Sequence, residues 1–584
     1  IPNPLYNTQF AHKDFTKNFN VVDNFSLEFA MRENLRLTAQ FSLTKGTSAG
    51  ETFKSMNHTD YEKNGTPLLE RGEYNKSIGN TMNWSTNASI NYNLTKDKHL
   101  LSMFARWEIA QNQNDGIFLQ AKGFPNDNMT DFQFSQEIEK RDVSNTETTS
   151  RSMGLTATVS YMYDFRYSLD FNLRGDMSSQ FGADTKMKPF WSVGARWNAS
   201  REKWLEGSFV SNLVLRTSYG ITGSQNYDPY QAVEGYSFED LMFQYLSSGV
   251  IGAELKGFGN PDLDWSTTED FSAAIELGFF NDRLTASVNY YNHYTDQLLL
   301  DNNIAPSTGF PTLMTNIGAI SNKGVDVTLG FTPIQDYERQ IQWNVSINGN
   351  HNSNKVKKIS NEIKKVNEEN LNNKTKPLPI YEEGKSTTQL FVVRSLGIDP
   401  ATGNEIFLKR NGERTFFWNA NDKVAVGDTE PKFRGGITSG LTWKDWSVNL
   451  GFTYEFGAYT YNQTLVDRIE NVNLLHNADR RAAKDRWRKP GDIAKYKSIA
   501  FSGRTTELSS RFVQKKNEIA FSSISIGYHF DPKKFGFLKQ CKIAGINLTG
   551  SMQDLGRISS VKQERGTDYP FARTVNLSMS VLFN

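Results

Sequence analysis

The stretch FSAAIELGFFNDRLTASVNYY at residues 271–291 decides how the rest of the chain is read. Its odd positions Phe271, Ala273, Ile275, Leu277 and Phe279 are apolar, with Ser272, Ala274, Glu276 and Gly278 between them. After Asn281-Asp282 the apolar phase resumes on Leu284, Ala286, Val288 and Tyr290, against Thr285, Ser287, Asn289 and Tyr291. Side chains i and i+2 share one face of an extended chain, so each run has an apolar and a polar side. Two such runs across an Asn-Asp turn read as a β-hairpin.

Working outward, the same alternation returns in Val325, Val327, Leu329 and Phe331, and in Val448, Leu450, Phe452, Tyr454 and Phe456. It returns once more in Val575, Leu577, Met579, Val581 and Phe583. The pattern predicts about seventeen strands. They lie near 21–31, 36–44, 83–95, 99–108, 150–163, 165–175, 188–199, 209–221, 266–279, 283–298, 322–334, 341–353, 432–443, 447–457, 519–530, 541–551 and 574–583. A soluble sandwich also alternates, but two features favour a barrel. Aromatics crowd the tight turns, as in Phe279-Phe280, Trp443-Lys444-Asp445-Trp446 and Tyr163-Asp164-Phe165, where a membrane-interface girdle sits. Connections also alternate between a few residues and long polar segments, the asymmetry of an outer-membrane barrel. The expected fold is all-β, a large antiparallel transmembrane β-barrel with short periplasmic turns and long extracellular loops.

Composition agrees. The 584 residues carry 65 Lys+Arg against 64 Asp+Glu, a net charge of +1, which offers no electrostatic footprint for nucleic acid. Mean hydropathy is −0.56, and no stretch nears the roughly 18 apolar residues a membrane helix needs. A barrel strand meets lipid only at every second residue, so polarity does not count against it. The single cysteine, Cys541, excludes an internal disulfide framework and is expected as an inert residue in a strand. No signal peptide opens the sequence.

The long loops are expected at Lys45–Met82, Ile109–Thr149, Thr222–Trp265, Lys355–Lys432 and Ala458–Glu518. Lys355–Lys376 reads as a mobile, charged tip, and Asn477–Trp487 as a short helix stopped by Pro490-Gly491. An odd strand number with short turns inside places the first strand's start outside the cell. Bacterial barrels are closed and even-numbered, so an odd number of strands is expected before Ile1.

Several segments, in order, resemble the SusC/RagA family of TonB-dependent outer-membrane transporters. They are LRTSYGITGSQN (215–226), GNPDLDW (259–265), FFNDRLTASVNYYNHYTDQL (279–298), NIGAISNKGVDVT (316–328), GIDPATG (397–403), EPKFRGGITSGLTW (430–443), RWRKPGD (486–492), ISIGYHF (524–530) and YPFARTVNLSMSVLF (569–583). The set spans residues 150 to 584; upstream only the alternation is shared. The chain departs from the pattern at Ser266, where Glu is usual, and in ending Phe583-Asn584. The resemblance implies a barrel of about 22 strands, with residues 1–584 as its C-terminal part and the plug, TonB-contacting segment and first strands absent. It implies active import of oligosaccharides or oligopeptides in a Bacteroidota outer membrane. The implied partners are a SusD-like surface lipoprotein acting as a lid, TonB–ExbB–ExbD through the missing N-terminal region, outer-membrane lipids, and a dimer of transporter–lipoprotein pairs. A surface binding or adhesion barrel without active transport is the alternative.

No enzyme constellation, cofactor motif or metal-ligand spacing stands out. Gly46-Thr47-Ser48-Ala49-Gly50 fits G-x-S-x-G but lacks the following helix that makes a nucleophile elbow, and reads as a flexible loop. Asp176–Gly182 holds too few carboxylates for calcium and reads as a tight loop. The seven histidines are scattered, with none three or four residues from another; His293 and His529 are expected at an interface or lumen wall. Candidate contact residues are loop aromatics: Phe416, Phe417 and Trp418 in the longest loop, and Tyr227 and Tyr230 after Gly223. Aromatic faces stack on sugar rings or peptide side chains and anchor protein interfaces, and they also simply pack loops.

Overall fold

The computed structural model describes residues 4–138, 143–181, 187–224, 229–239, 252–304, 306–310, 312–473, 479–501, 503–562 and 573–583. Within it a 17-stranded antiparallel sheet forms a continuous meander. Its strands are β1 His12–Arg32, β2 Leu35–Lys54, β3 Glu73–Lys96, β4 His99–Lys122, β5 Val143–Tyr163, β6 Tyr167–Ser178, β7 Lys188–Asn198, β8 Val210–Ser224 and β9 Ser266–Phe279. They continue with β10 Leu284–Asp296, β11 Ala319–Asp336, β12 Ile341–Lys358, β13 Phe433–Trp443, β14 Trp446–Tyr461, β15 Val513–Phe530, β16 Ile543–Ser559 and β17 Val575–Phe583. Each strand pairs with the next in the chain. Among the described residues β1 and β17 are not paired with each other.

Register turns the one-dimensional pattern into two surfaces. Ile275 faces Val288, which faces Val327, so the apolar phases of three strands form one band. Glu276 pairs with Ser287 and Asn289 with Asp326 on the opposite side. A one-residue slip would exchange the two faces along a whole strand. The apolar face is left open: Phe25, Phe29, Leu155, Leu169, Phe171 and Phe271 are all exposed, as side chains that meet lipid must be. The inner face carries hydrogen bonds and ion pairs. Arg174 reaches Glu108 at 2.6 Å and Asp176 at 2.8 Å. Asn350 donates to Asp326 at 2.6 Å, Asn354 donates to Asn322 at 2.8 Å, and Arg216 pairs with Glu276. His293 lies on this wall against Asp270, and His529 meets Asn547 at 2.7 Å.

At the short-turn rim the expected aromatic crowd is present. Phe209 stacks near Phe279 and Phe280, Trp446 meets Tyr528 at 4.7 Å, and Phe165, Phe280 and Trp443 are exposed. Higher on the outer face, Tyr454 lies over Gly435, where a Cβ would sit 2.8 Å from its ring, and its hydroxyl donates to Asn348 O at 2.9 Å. The missing side chain gives the ring its seat, and the ring covers backbone that glycine leaves bare.

Four expectations change. Residues 45–54 and 73–82, expected as loop, continue β2 and β3, and 109–122 and 143–149 continue β4 and β5. β3 and β4 have 24 residues each, ~80 Å of strand against an apolar band of about 25 Å. Beyond the lipid there is no apolar face to alternate, so the pattern stops while the hydrogen-bonded ladder goes on. Gly46–Gly50 therefore lies mid-strand, Thr47 opposite Phe19 and Asn80, far from any elbow. Secondly, the charged Lys355–Lys376 segment is not a loose tip: it contains the helix Asn361–Asn372, capped by Ser360 Oγ accepting from Ile363 N. Thirdly, the helix expected at Asn477–Trp487 is confined to Arg481–Lys484, with Asn477 and Ala478 outside the described residues. Fourthly, Cys541 is exposed in the turn after Gly536–Gln540, before β16 begins. Asp176 sits in β6 bound by Arg174, while Gly182 lies outside the described residues.

Candidate functional site: a folded cap on the outer loops

Two loops dominate the open end, residues 359–432 between β12 and β13 and 462–512 between β14 and β15. The first builds a small sheet in which Gln389–Ile398 pairs with Glu405–Leu408 and Lys423–Asp428, and Glu405–Leu408 pairs with Arg414–Thr415. Val392 and Val393 are fully buried at its centre. The helix Asn361–Asn372 is pinned beside it by Asn367, whose amide exchanges two hydrogen bonds with the Tyr381 backbone. Lys423, buried to 1% exposure, crosses to the helix end and donates to Asn370 O at 3.3 Å and Asn373 O at 2.8 Å. A cation suits those C-terminal carbonyls. Burial nevertheless pushes the Lys423 ammonium down to about 8.

The second loop folds around charged side chains. Arg486 donates to the carbonyls of Ala482 (2.7 Å), Lys497 (2.9 Å), Glu470 (3.1 Å) and Ile469. Lys497 donates to Arg504 O at 2.7 Å, Thr506 Oγ1 at 2.9 Å and Asn471 Oδ1 at 3.1 Å. Arg511 then joins the loops, reaching Glu405 at 2.9 Å and Glu470 at 2.7 Å. Burial works against its charge, but the two carboxylates hold the guanidinium above its ordinary value. More links tie the halves together: Ser509 Oγ donates to Glu405 at 2.6 Å, Ser395 N to Ser510 Oγ at 2.9 Å, and Leu508 N to Lys374 O at 2.6 Å.

Segments quoted from the sequence meet here. In GIDPATG, Asp399 accepts from Thr402 Oγ1 at 2.6 Å, which with backbone N–H groups lowers its pKa. Trp487 of RWRKPGD covers Gly403 and donates to Pro400 O at 2.9 Å, and Gly491 N donates to the same oxygen at 2.8 Å. GNPDLDW and NIGAISNKG meet in the same way. Asp264 N donates to Asn316 Oδ1, and Asn316 Nδ2 returns to Asp264 O at 2.6 Å. Trp265 packs with Phe181 and Phe190. These motifs latch loop to loop.

The candidate aromatics divide. Trp418 is half-buried, its indole donating to Leu508 O at 2.9 Å and its ring facing Lys423. Phe417 is 84% exposed. Phe416 lines a cavity of about 380 Å³ with Glu405, Phe407, Glu470, Phe501 and Arg511. Tyr230 belongs to a different loop, where its hydroxyl accepts from Thr149 N at 2.9 Å. Tyr227 lies outside the described residues. The structure thus brings Phe416 together with Glu405, Glu470 and Arg511, which sequence reasoning missed. They stand far apart in the chain and share no periodicity; the nearby GIDPATG and RWRKPGD segments were the available signal.

The sequence matches the family described as TonB dependent receptor-like, beta-barrel over residues 2–479. The chain belongs to that family. It is accordingly an outer-membrane β-barrel protein. TonB-dependent receptor P39 of Formosa agariphila is 26% identical over 86% of this chain and 53% of its own length. TonB-dependent receptor SusC of Bacteroides thetaiotaomicron is 25% identical over 72% of this chain and 42% of its own length. The chain thus spans about half the length of these curated relatives. In fold it is similar to the RagAB peptide importer in the open-open state, with TM-score 0.83 at 20% identity, covering 98% of this chain and 62% of that one. The receptor-family barrel therefore accounts for the wall, and the cap is built on its outer rim.

Proposed function

We propose that the intact protein is a TonB-dependent importer that carries an oligosaccharide or oligopeptide across the outer membrane. In this reading the chain supplies wall and outer loops, and a plug and further strands complete the barrel. Closure matters because unpaired strand edges facing lipid are costly. A surface lipoprotein of the SusD type acts as lid, TonB with ExbB–ExbD moves the plug, and two transporter–lipoprotein pairs associate. The observation that carries the proposal is the asymmetry of the wall. A polar inner face runs from a rim of short turns to an outward palisade topped by a folded cap, which suits capture outside and passage inward. The RagAB peptide importer, similar in fold, supports the oligopeptide half of this reading.

The test is uptake by cells carrying the intact gene, with and without TonB, on defined glycan or peptide mixtures. Import predicts TonB-dependent depletion of one nutrient class and loss of that depletion when the gene is deleted. Surface binding that persists without TonB-dependent uptake would instead favour the adhesion reading.

A further inference from the structure

We infer that the turn between β15 and β16, residues 531–542, is a docking surface for the headgroups of anionic phospholipids in the periplasmic leaflet. Its sequence, DPKKFGFLKQCK, sets four lysines, Lys533, Lys534, Lys539 and Lys542, against the one carboxylate of Asp531, a net charge of +3. The seven other short turns (33–34, 97–98, 164–166, 199–209, 280–283, 337–340 and 444–445) each hold at least as many acids as bases. Positive charge on this rim is therefore concentrated in one place. The acids nearby are already engaged: Asp531 Oδ1 accepts from Lys533 N at 2.8 Å, and Asp445 of the neighbouring turn is taken by Lys534. Lys444, Lys533, Lys539 and Lys542 are exposed and have no carboxylate partner among the described residues.

The lysines stand beside an aromatic belt on the lipid side. Trp446 pairs with Tyr528, two residues from the lipid-facing pair of Val448 and Ile526, so both rings share that face. Phe530 follows in phase, and its ring meets Tyr528 at 4.7 Å and Phe535 at 5.2 Å. Phe535 carries the belt on to exposed Phe537. Fully buried Leu538 seats the short helix Gly536–Gln540 against β16 and leaves Lys539 outside. Lys444 stands over the exposed Trp443 ring, 5.8 Å from its centre. Such rings settle at headgroup depth, and lysine stems reach from there to the phosphates. Surplus lysine charge at that depth favours a lipid whose phosphate is not balanced by an amine. A soluble acidic partner would use the lysines alone, whereas a lipid engages lysines and rings together.

The test titrates the intact transporter in detergent with phosphatidylglycerol or phosphatidylcholine and reads the Kd of the first bound lipid by native mass spectrometry. We expect tighter binding of phosphatidylglycerol, weakened about tenfold when Lys533→Gln and Lys539→Gln are combined. Lys533→Arg with Lys539→Arg keeps the charge and should keep the wild-type Kd. Lys364→Gln with Lys365→Gln, an equal loss of charge on the cap, should also leave it unchanged. If the first pair loses heat-modifiable migration, Lys444→Gln is read in its place, with about a fivefold loss expected. Equal Kd for the two lipids in wild type overturns the inference and leaves the turn to a soluble acidic partner. It is likewise overturned by wild-type affinity in the glutamine pair, by a loss in the arginine pair, or by an equal loss in the cap pair. Uptake plays no part in the measurement, so the result is independent of the import reading.

Discussion

The hairpin at residues 271–291 and the cap of residues 359–432 and 462–512 are held by opposite physics. In the hairpin no side chain is deeply enclosed on the outer face, and stability comes from ladder hydrogen bonds and from apolar side chains matching lipid. In the cap the enclosed side chains include Lys423, Glu470 and Arg486, each holding or held by backbone and side-chain polar groups. A wall one strand thick can use only a surface pattern. A cap surrounded by water must make its own interior, and this one makes much of it from charges. Polar networks of that kind stabilise when every member is satisfied and fail sharply when one is removed.

Removing Arg511 is therefore the strongest way to break the comparison. Arg511→Met leaves Glu405 and Glu470 as unpaired buried carboxylates, at a cost of about 3–5 kcal/mol confined to the cap. Limited proteolysis should cut residues 359–432 and 462–512 much faster, while the barrel keeps its heat-modifiable migration on gels. Equal proteolysis of the variant and wild type would show that the bridge is not what joins the loops.

The wall is probed by two neighbours on opposite faces. Val288 lies ~15 Å along β10 from the turn, near mid-depth of an apolar band of about 25 Å. Val288→Arg should cost about 2–4 kcal/mol of folding free energy in lipid vesicles. Ser287→Arg, one residue away but facing Glu276, should cost far less. Urea titration of vesicle-inserted protein measures both, and similar losses would mean the faces are wrongly assigned.

That contrast explains what could be read beforehand. Strands such as Ser266–Phe279 and Leu284–Asp296 were legible because lipid imposes a period of two on one face. The upper halves of β3 and β4 were not, since Ser, Thr, Gly and Asn pair as well as any residue once both faces are wet. The helix Asn361–Asn372 escaped notice for a related reason. Its composition is that of a solvated loop, and it is fixed by tertiary partners such as Tyr381 on Asn367 and Lys423 at its C-terminal end. In the cap, Phe416 was picked out as an aromatic, but Glu405, Glu470 and Arg511 are joined by tertiary geometry that no local spacing encodes.

Titration offers a gentler lever on the cap. The Lys423 ammonium has a native value of about 8 against 10.5 when exposed, so between those values the opened cap binds more protons than the folded one. Lys423 thus adds to stability as pH rises through that window, on the order of 1 kcal/mol per pH unit, and its cost is constant below about 8. Lys423→Met removes the titration. The wild-type cap should gain on the variant from pH 8 to 10.5 in urea midpoints followed by protease susceptibility. A difference that is flat across this range would refute the assignment.

The smallest effect returns to the wall. Tyr454→Phe keeps the ring over Gly435 and deletes only the 2.9 Å hydrogen bond to Asn348 O, an expected loss of about 0.5–1.5 kcal/mol. Tyr454→Ala also uncovers the glycine backbone on the outer face and should lose more. If the seat matters more than the hydroxyl, Phe will resemble wild type and Ala will not, by vesicle unfolding. If the two variants fall together, the hydroxyl bond is what holds β14 against β12, and this patch of the wall then obeys the polar logic of the cap.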